Sequence, residues 1–366
     1  MVKSPLTVKV PGKLMVAGEY AVLDQYQRLI VMAVDKYLYA TIESAEENKL
    51  SLVNFDLKNL SWSFDEDTIH IDSDVEQTRF VKEALRVVLT YVKEQEIEVP
   101  NFALEIRSEL DDVSGAKYGL GSSAASVVGT VSAILTHLLP EEPDTELIFK
   151  LAAIAHINVQ KSGSGADIAA SSYGGWLAYS SFQAEWLLEE LERKNMSISR
   201  LVKKSWQYLK VEQLDFPESL HLCVGWTGEP ASTTELVAAV RKMKHEKHSD
   251  YAGFMVKSGT SVQGITHGVK ENDDSLILEG ITMNRQALKK LGEDAGIEIE
   301  TAELAKLCDI AEEHGGAAKP SGAGGGDCGI AFVPTLEQKE QIEAAWKGAG
   351  IVPLPIQPQK TGAHIL

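Results

Sequence analysis

A glycine- and serine-rich turn leads into a strongly apolar helical pattern: residues 117–125 read KYGLGSSAA. Beyond it, apolar side chains recur at helical spacing until Pro140 ends the pattern. Glycines let backbone N–H groups approach an oxyanion without an obstructing Cβ, and a helix N-terminus adds unpaired N–H groups with a partial positive charge. The stretch therefore predicts a phosphate-binding loop. A Gly-Ser turn that only caps a core helix would have the same sequence, and the spacing matches neither a Walker A motif nor the glycine loop of protein kinases.

The rest of the chain predicts an α+β protein with two domains. Period-2 and period-3.6 patterns alternate without a strict βα order. Strands are predicted at residues 6–10, 14–16, 37–42, 102–106, 175–179, 220–226, 328–333 and 351–356, and further helices at 77–94, 145–159, 234–244, 251–267, 275–291, 301–313 and 336–348. The charge-rich segment 185–209 is predicted to be surface helix and linker. A boundary near Pro217 would give an N-terminal domain of residues 1–216 and a C-terminal domain of residues 217–366.

Charge and cysteine content narrow the class of protein. The 366 residues carry 35 basic and 53 acidic side chains, a net charge of −18, which argues against a surface for nucleic acid or anionic membrane. The cysteines are few and widely spaced (Cys223, Cys308 and Cys328), so neither a disulfide framework nor a zinc site is indicated. No signal peptide or membrane span is evident, and we expect a cytoplasmic protein, either a monomer or a homodimer.

Two further glycine-containing motifs flank the first. Residues 11–22 read PGKLMVAGEYAV and place Lys13 and Glu19 beside glycines between strand-like runs. A strand-borne lysine can neutralise a transferring phosphoryl group, although a solvated lysine at a strand edge is the alternative. Residues 319–329 read KPSGAGGGDCG, with five glycines in positions 322–329 before an apolar strand. That pattern favours a loop lying against a ligand over a flexible surface loop.

The three motifs in this order resemble those of the GHMP kinases, a family that includes galactokinase, homoserine kinase, mevalonate kinase and phosphomevalonate kinase. The resemblance runs nearly from end to end. GEYAVL (18–23), KYGLGSSAA (117–125), GWTGEPAS (225–232) and SGAGGGDCGIA (321–331) are most similar to the bacterial phosphomevalonate kinase branch. The resemblance implies an N-terminal domain related to ribosomal protein S5 domain 2, a C-terminal domain with a ferredoxin-like element, and an active site in the cleft between them.

The resemblance also implies roles for individual residues. Asp167, in SGSGAD (162–167), occupies the position of the family's catalytic aspartate, whereas its local sequence alone is equally typical of an N-cap or Asx turn. Lys13 would be its partner. ATP and Mg²⁺ are the implied cofactors, with Ser123 as a magnesium ligand. The implied nucleotide-binding residues are Lys117, Gly119, Leu120, Gly121, Ser122, Ser123 and Ala124. The implied substrate-binding residues are Glu19, Tyr20, Ser164, Thr233, Ser321, Gly322, Ala323 and Gly324.

The implied reaction transfers the γ-phosphoryl group of ATP to (R)-5-phosphomevalonate, giving 5-diphosphomevalonate and ADP. A phosphate acceptor is largely ionised at neutral pH, because its second pKa is about 6. Charge neutralisation should therefore matter more than general-base catalysis, and we expect Lys13→Met to cost more turnover than Asp167→Asn. The alternatives are a mevalonate kinase, a homoserine kinase, a decarboxylase of the same fold or a non-catalytic ATP-binding regulator. GLGSSAA differs from the GLASSAA-like loop of the decarboxylases, and retention of both Lys13 and Asp167 argues against the regulator.

Overall fold

The computed structural model describes residues 4–73, 75–111, 118–194, 196–228 and 233–366. Within these residues, thirteen strands form one sheet of nine strands and another of four. The strands are β1 (Leu6–Ala17), β2 (Leu29–Ser44), β3 (Lys49–Leu52), β4 (Leu57–Asp65), β5 (Thr68–Ile71), β6 (Phe102–Ser108), β7 (Trp176–Ser180), β8 (Lys210–Leu214), β9 (His221–Trp226), β10 (Ala317–Pro320), β11 (Cys328–Val333), β12 (Val352–Leu354) and β13 (His364–Ile365).

Helices cover both sheets, and the described part of the chain contains eleven α-helices. They are α1 (Arg79–Glu94), α2 (Ser122–Leu138), α3 (Thr145–Gln160), α4 (Ala166–Tyr173), α5 (Ala184–Glu192), α6 (Ile198–Lys203), α7 (Thr233–Glu246), α8 (His248–Glu271), α9 (Asp274–Ala295), α10 (Ala302–Glu313) and α11 (Leu336–Gly348). The prediction of a mixed α+β protein is confirmed. No helix of the described ranges is long and apolar enough to cross a membrane.

The first sheet has the order β13-β1-β2-β6-β3-β4-β5, and β7 joins β2 to β8. The long antiparallel pair β1 and β2 changes register between Pro11 and Gly12, as expected where proline removes a ladder donor. Gly12 also lies against the loop before α2, because a Cβ there would approach the Leu120 carbonyl oxygen to 3.0 Å. The Lys13 amide donates to that same carbonyl at 2.9 Å. The sheet thereby carries the glycine-serine turn directly beside β1.

The segment from residue 185 to 209 is not the surface helix and linker that its charge pattern predicted. Leu187 and Leu201 are fully buried, and Trp206 is 4% exposed. Trp206 packs edge-on against Phe182, with ring centroids 5.0 Å apart. Most charged residues of α5 and α6 are exposed, but Glu190 is 2% exposed and pairs with Lys204 at 2.6 Å. The apolar side chains of the segment belong to the first hydrophobic core.

The second sheet has the order β10-β11-β9-β12 and is antiparallel throughout. Its first strand begins four residues after Pro217, near the predicted boundary. The chain does not remain with the second sheet, however. Pro358 bridges to Val34 and β13 pairs with β1, so the final segment returns to the first sheet. A division into residues 1–216 and 217–366 stays a prediction, and the contacts of residues 358–365 run across it.

Candidate active site

One cavity of about 470 Å³ is lined by the three glycine-containing motifs together. Its walls come from β1, from residues 119–123, from the loop that precedes α4 and from the loop that joins β10 to β11. Two larger grooves, of about 760 and 640 Å³, contain no residue of 119–123 or 321–324. Convergence of the motifs, rather than size, therefore identifies the candidate site.

The loop before α2 presents a helix N-terminus to the cavity. Gly119 and Gly121 have φ angles of 77° and 83°, which residues with a Cβ rarely adopt. Gly121 precedes the first helical residue, Ser122, so the first N–H groups of α2 have no partner within the helix. Leu120 and Ala124 are buried, so these two can meet a nucleotide only through their backbone. This geometry suits an anion on the helix end.

Lys13 projects from β1 to the same loop. Its Nζ donates to the Gly119 carbonyl oxygen at 2.6 Å. We expected Asp167 to be its ionic partner, but among the ion pairs of the described residues none joins the two. Both side chains nevertheless lie beside Gly121, because a Cβ on Gly121 would lie 3.1 Å from Lys13 Cγ and 3.7 Å from Asp167 Cβ. A ligand above Gly121 would therefore lie beside the side chains of Lys13 and Asp167, which both line the cavity.

Asp167 lies in the first turn of α4, after Gly165 at φ 76°. Its Oδ1 accepts a hydrogen bond from the Ile168 amide at 3.0 Å. The carboxylate also lines the cavity. Asp167 is therefore both a helix-end aspartate and a residue of the candidate site. Position in the first turn stabilises its charge.

The glycine-rich loop of the second sheet reaches across to β1. Ser321 Oγ accepts from the Met15 amide at 2.8 Å and donates to the Met15 carbonyl at 3.0 Å. Gly324 has φ 74°, and a Cβ there would come within 2.1 Å of the Ile299 carbonyl oxygen. Ser321, Gly322, Ala323 and Gly324 all line the cavity. The loop is thus an ordered wall of the site and not a flexible surface loop.

Glu19 and Tyr20, for which we expect a substrate-binding role, do not line this cavity, and that role stays a prediction. They are 4% and 5% exposed, and they contact the glycine-rich loop that joins β10 to β11. Lys319 Nζ, fully buried, donates to Glu19 Oε1, and the Gly322 amide donates to the same oxygen at 3.3 Å. Tyr20 Oη donates to the Ala323 carbonyl at 2.5 Å. The sequence around Glu19 and Tyr20 gives no sign of these buried partners, which lie about 300 positions later in the chain.

A histidine on α3, which the sequence analysis did not single out, forms part of the cavity wall. His156 is 3% exposed, and its Nε2 lies 3.3 Å from Ser123 Oγ. Its ring stacks on Phe80, with centroids 4.9 Å apart and planes 24° apart. Burial lowers the pKa of His156, and the nearby Arg79 guanidinium lowers it further while Asp167 opposes them. Burial is thus the main cause that favours the neutral form of the ring.

The remaining expected residues lie around this wall. Ser164 lines the cavity, and its carbonyl accepts a hydrogen bond from Tyr179 Oη at 2.7 Å. Thr233, the first residue of α7, also lines it. Lys117 and residues 229–232 of the GWTGEPAS motif lie outside the described residues. Arg79 was missed by the sequence analysis, and it brings a second cation to the cavity, paired with Glu76 at 2.6 Å.

Comparison with known proteins agrees with this architecture. The GHMP kinase N-terminal domain model matches residues 79–175, and the GHMP kinase C-terminal model matches residues 265–352. A phosphomevalonate kinase of Streptomyces sp. (strain CL190) is 35% identical over 365 residues, which cover 96% of each chain. The chain belongs to the GHMP kinase family. The resemblance predicted from the motifs is confirmed.

The chain is also similar to a curated mevalonate kinase and to two solved structures. A mevalonate kinase of Thermococcus sibiricus is 28% identical, covering 97% of this chain and 96% of the relative. A crystal structure of a protein from Listeria innocua superposes with TM-score 0.93 at 39% identity, covering 99% of both chains. Streptococcus pneumoniae phosphomevalonate kinase in complex with phosphomevalonate and AMPPNP superposes with TM-score 0.83 at 24% identity, covering 96% of this chain and 99% of that one. The expected two-domain GHMP kinase fold is confirmed.

The donor set of the cavity fits a magnesium ion that arrives with its nucleotide. Among the described residues, no group of three or more His, Cys, Asp or Glu side chains is placed to hold a metal. Mg²⁺ keeps several waters and is usually held by one or two protein oxygens together with substrate phosphates. The Ser123 hydroxyl, in the first turn of α2, and the Asp167 carboxylate, in the first turn of α4, line the cavity, and both offer oxygen. Ser123 as a metal ligand stays a prediction consistent with this geometry.

Proposed function

We propose that this chain is a phosphomevalonate kinase, which transfers the γ-phosphoryl group of ATP to the phosphate of 5-phosphomevalonate and releases ADP and 5-diphosphomevalonate. The observation that carries the proposal is the 35% identity over nearly the whole chain to a phosphomevalonate kinase, against 28% for the Thermococcus sibiricus mevalonate kinase. The cavity supports it, because cations and helix-end N–H groups converge where two phosphates would have to meet.

The residues of the cavity have separate roles in the proposed reaction. Mg²⁺, when bound with ATP, would neutralise the charge of the phosphates, and Ser123 would hold it. The N-terminus of α2 would bind phosphate oxygens through residues 121–124, with Gly119 allowing close approach. Lys13 would lie against the transferring group, close to Gly121 as its Cγ position requires. Ser321 and the glycines after it would close the cavity from the second domain.

Asp167 would position groups rather than remove a proton. The acceptor oxygen of a phosphate monoester is already ionised to a large extent at pH 7, since its second pKa is about 6. The barrier then comes mainly from bringing two anions together, which positive charge and orientation lower. Ser164 and Thr233 line the cavity beside Asp167 and are the hydroxyls we propose for the acceptor.

Release of ADP with three separate acceptors tests the proposal. We expect turnover with phosphomevalonate and none above background with mevalonate or homoserine, and the product should carry a diphosphate by ³¹P NMR. Turnover with mevalonate alone would instead assign the chain to the mevalonate kinases, several of which match it at 28–30% identity. Lys13→Met, checked for native circular dichroism, is the inactive control.

A further inference from the structure

The environment of Ser123 is more constrained than a metal-binding hydroxyl requires. Ser123 is the second residue of α2, where its side chain is half-exposed to the cavity. A serine hydroxyl in such a place would sample several staggered rotamers, only some of which aim its lone pairs at a ligand. Its Oγ lies 3.3 Å from His156 Nε2, a contact that selects among these rotamers.

His156 is itself held from behind. The residue lies near the end of α3 and stacks on Phe80, the second residue of α1. The ring is 3% exposed, so it has little freedom to turn away from Ser123. Three helices thus meet near the Ser123 hydroxyl. Ser123 lies on α2, His156 on α3 contacts its Oγ, and Phe80 on α1 packs against the histidine ring.

We propose that His156 is a positioning residue that fixes the Ser123 hydroxyl so that its lone pairs face the Mg²⁺ of bound Mg·ATP. A neutral imidazole has one ring nitrogen that accepts a hydrogen bond. When Nε2 accepts the Ser123 proton, that proton points away from the cavity and both remaining lone pairs of Oγ are available to the metal. Partners that orient a metal ligand typically change metal affinity by about 10- to 100-fold when removed. This inference rests on the proposed kinase function only in requiring that the protein bind Mg·ATP.

Two substitutions separate the hydrogen bond from the bulk of the ring. His156→Gln can place its amide group at the position of Nε2 and so keep a partner for Ser123. His156→Asn is shorter and places its amide near the position of Nδ1 instead. Both variants lose the ring stack on Phe80, so a difference between them reports the contact with Ser123.

The test is calorimetric titration with AMPPNP, in Mg²⁺ and again in EDTA, without any acceptor. We expect His156→Asn to weaken binding about tenfold in Mg²⁺ and to change it less than twofold in EDTA. His156→Gln should keep most of the Mg²⁺-dependent affinity. Ser123→Ala should lose as much as His156→Asn, and the double variant no more than Ser123→Ala alone, because both act through one contact. In turnover assays His156→Asn should need more Mg²⁺ for half-maximal rate yet recover kcat at saturation.

Equal losses in Mg²⁺ and EDTA, or losses that multiply in the double variant, would overturn the positioning role. So would a wild-type affinity for AMPPNP that does not depend on Mg²⁺. Thermal unfolding midpoints identify a variant that has lost its fold, and Ser123→Ala, at a half-exposed position, still tests the Mg²⁺ dependence in that event. Tight Mg·AMPPNP binding without turnover of phosphomevalonate would refute the proposed function while leaving this inference intact.

Discussion

Substitution of Glu19 by Gln should destabilise the protein by about 3 kcal/mol, although the side chain touches no cavity surface. Lys319 is fully buried and Glu19 is 4% exposed, so the pair is shielded from solvent. Losing one member of a buried pair costs about 3–5 kcal/mol, because the remaining charge stays uncompensated. The lower end applies here, since Lys319 Nζ still donates to the Pro320 carbonyl at 2.5 Å and the glutamine oxygen can still accept.

Urea unfolding followed by tryptophan fluorescence measures this loss. Glu185→Gln is the matched control, because it breaks an exposed ion pair with Arg241 at 3.0 Å and should cost below about 1 kcal/mol. The double variant Glu19→Gln/Lys319→Met should recover much of the stability, since it leaves no buried charge. A Glu19→Gln protein as stable as the Glu185→Gln control would refute the reasoning, and so would a double variant less stable than Glu19→Gln.

Three further outcomes follow from the cavity and the core. Lys13→Met should lower kcat by at least about 100-fold, and more than Asp167→Asn does, because a cation facing two phosphates contributes more than a base that the acceptor does not need; equal or reversed losses in steady-state assays would contradict this. Gly121→Ala should weaken AMPPNP binding about tenfold by calorimetry, since φ of 83° strains any residue with a Cβ, and unchanged affinity would show that the loop adapts. Burial raises the pKa of all three cysteine thiols, that of Cys223 to about 12. The native protein should therefore not react with a thiol reagent at pH 8, whereas the urea-unfolded chain should react at three thiols. Fast labelling of the native protein would contradict the burial of these thiols.

Local patterns predicted most of the long helices because their cause is local, whereas short strands such as β3 (Lys49–Leu52) and β5 (Thr68–Ile71) were not predicted. An apolar stripe at helical spacing reports the buried face of a helix wherever that helix packs. The predicted helix at 336–348 therefore has the bounds of α11, and the predicted helix at 77–94 differs from α1 by two residues at its start. The glycine-rich loops were also predictable, since close backbone approach and positive φ demand glycine at fixed positions.

What the sequence could not predict are the contacts between distant residues. Glu19 and Lys319 are 300 positions apart, and nothing near either one indicates the other. His156 sits in a helix whose surrounding pattern is explained by core packing alone, so its contact with Ser123 left no signal. Most charged residues of segment 185–209 are exposed, as their pattern predicted, but that pattern gave no sign of the buried Glu190 or of the apolar face of these helices.

The return of β13 to the first sheet has a consequence for synthesis on the ribosome. On the outer edge of β1, Val8 and Lys9 pair with residues 364–365, which are translated after every strand of the second sheet. Nascent domains generally fold in order from the N-terminus, so this part of β1 lacks its strand partner until residues 364–365 have been synthesised. Unpaired edges are templates for association with other chains. We therefore expect association through this edge of β1 to be strongest before β13 pairs with it, and a chaperone that shields the edge would act before that point.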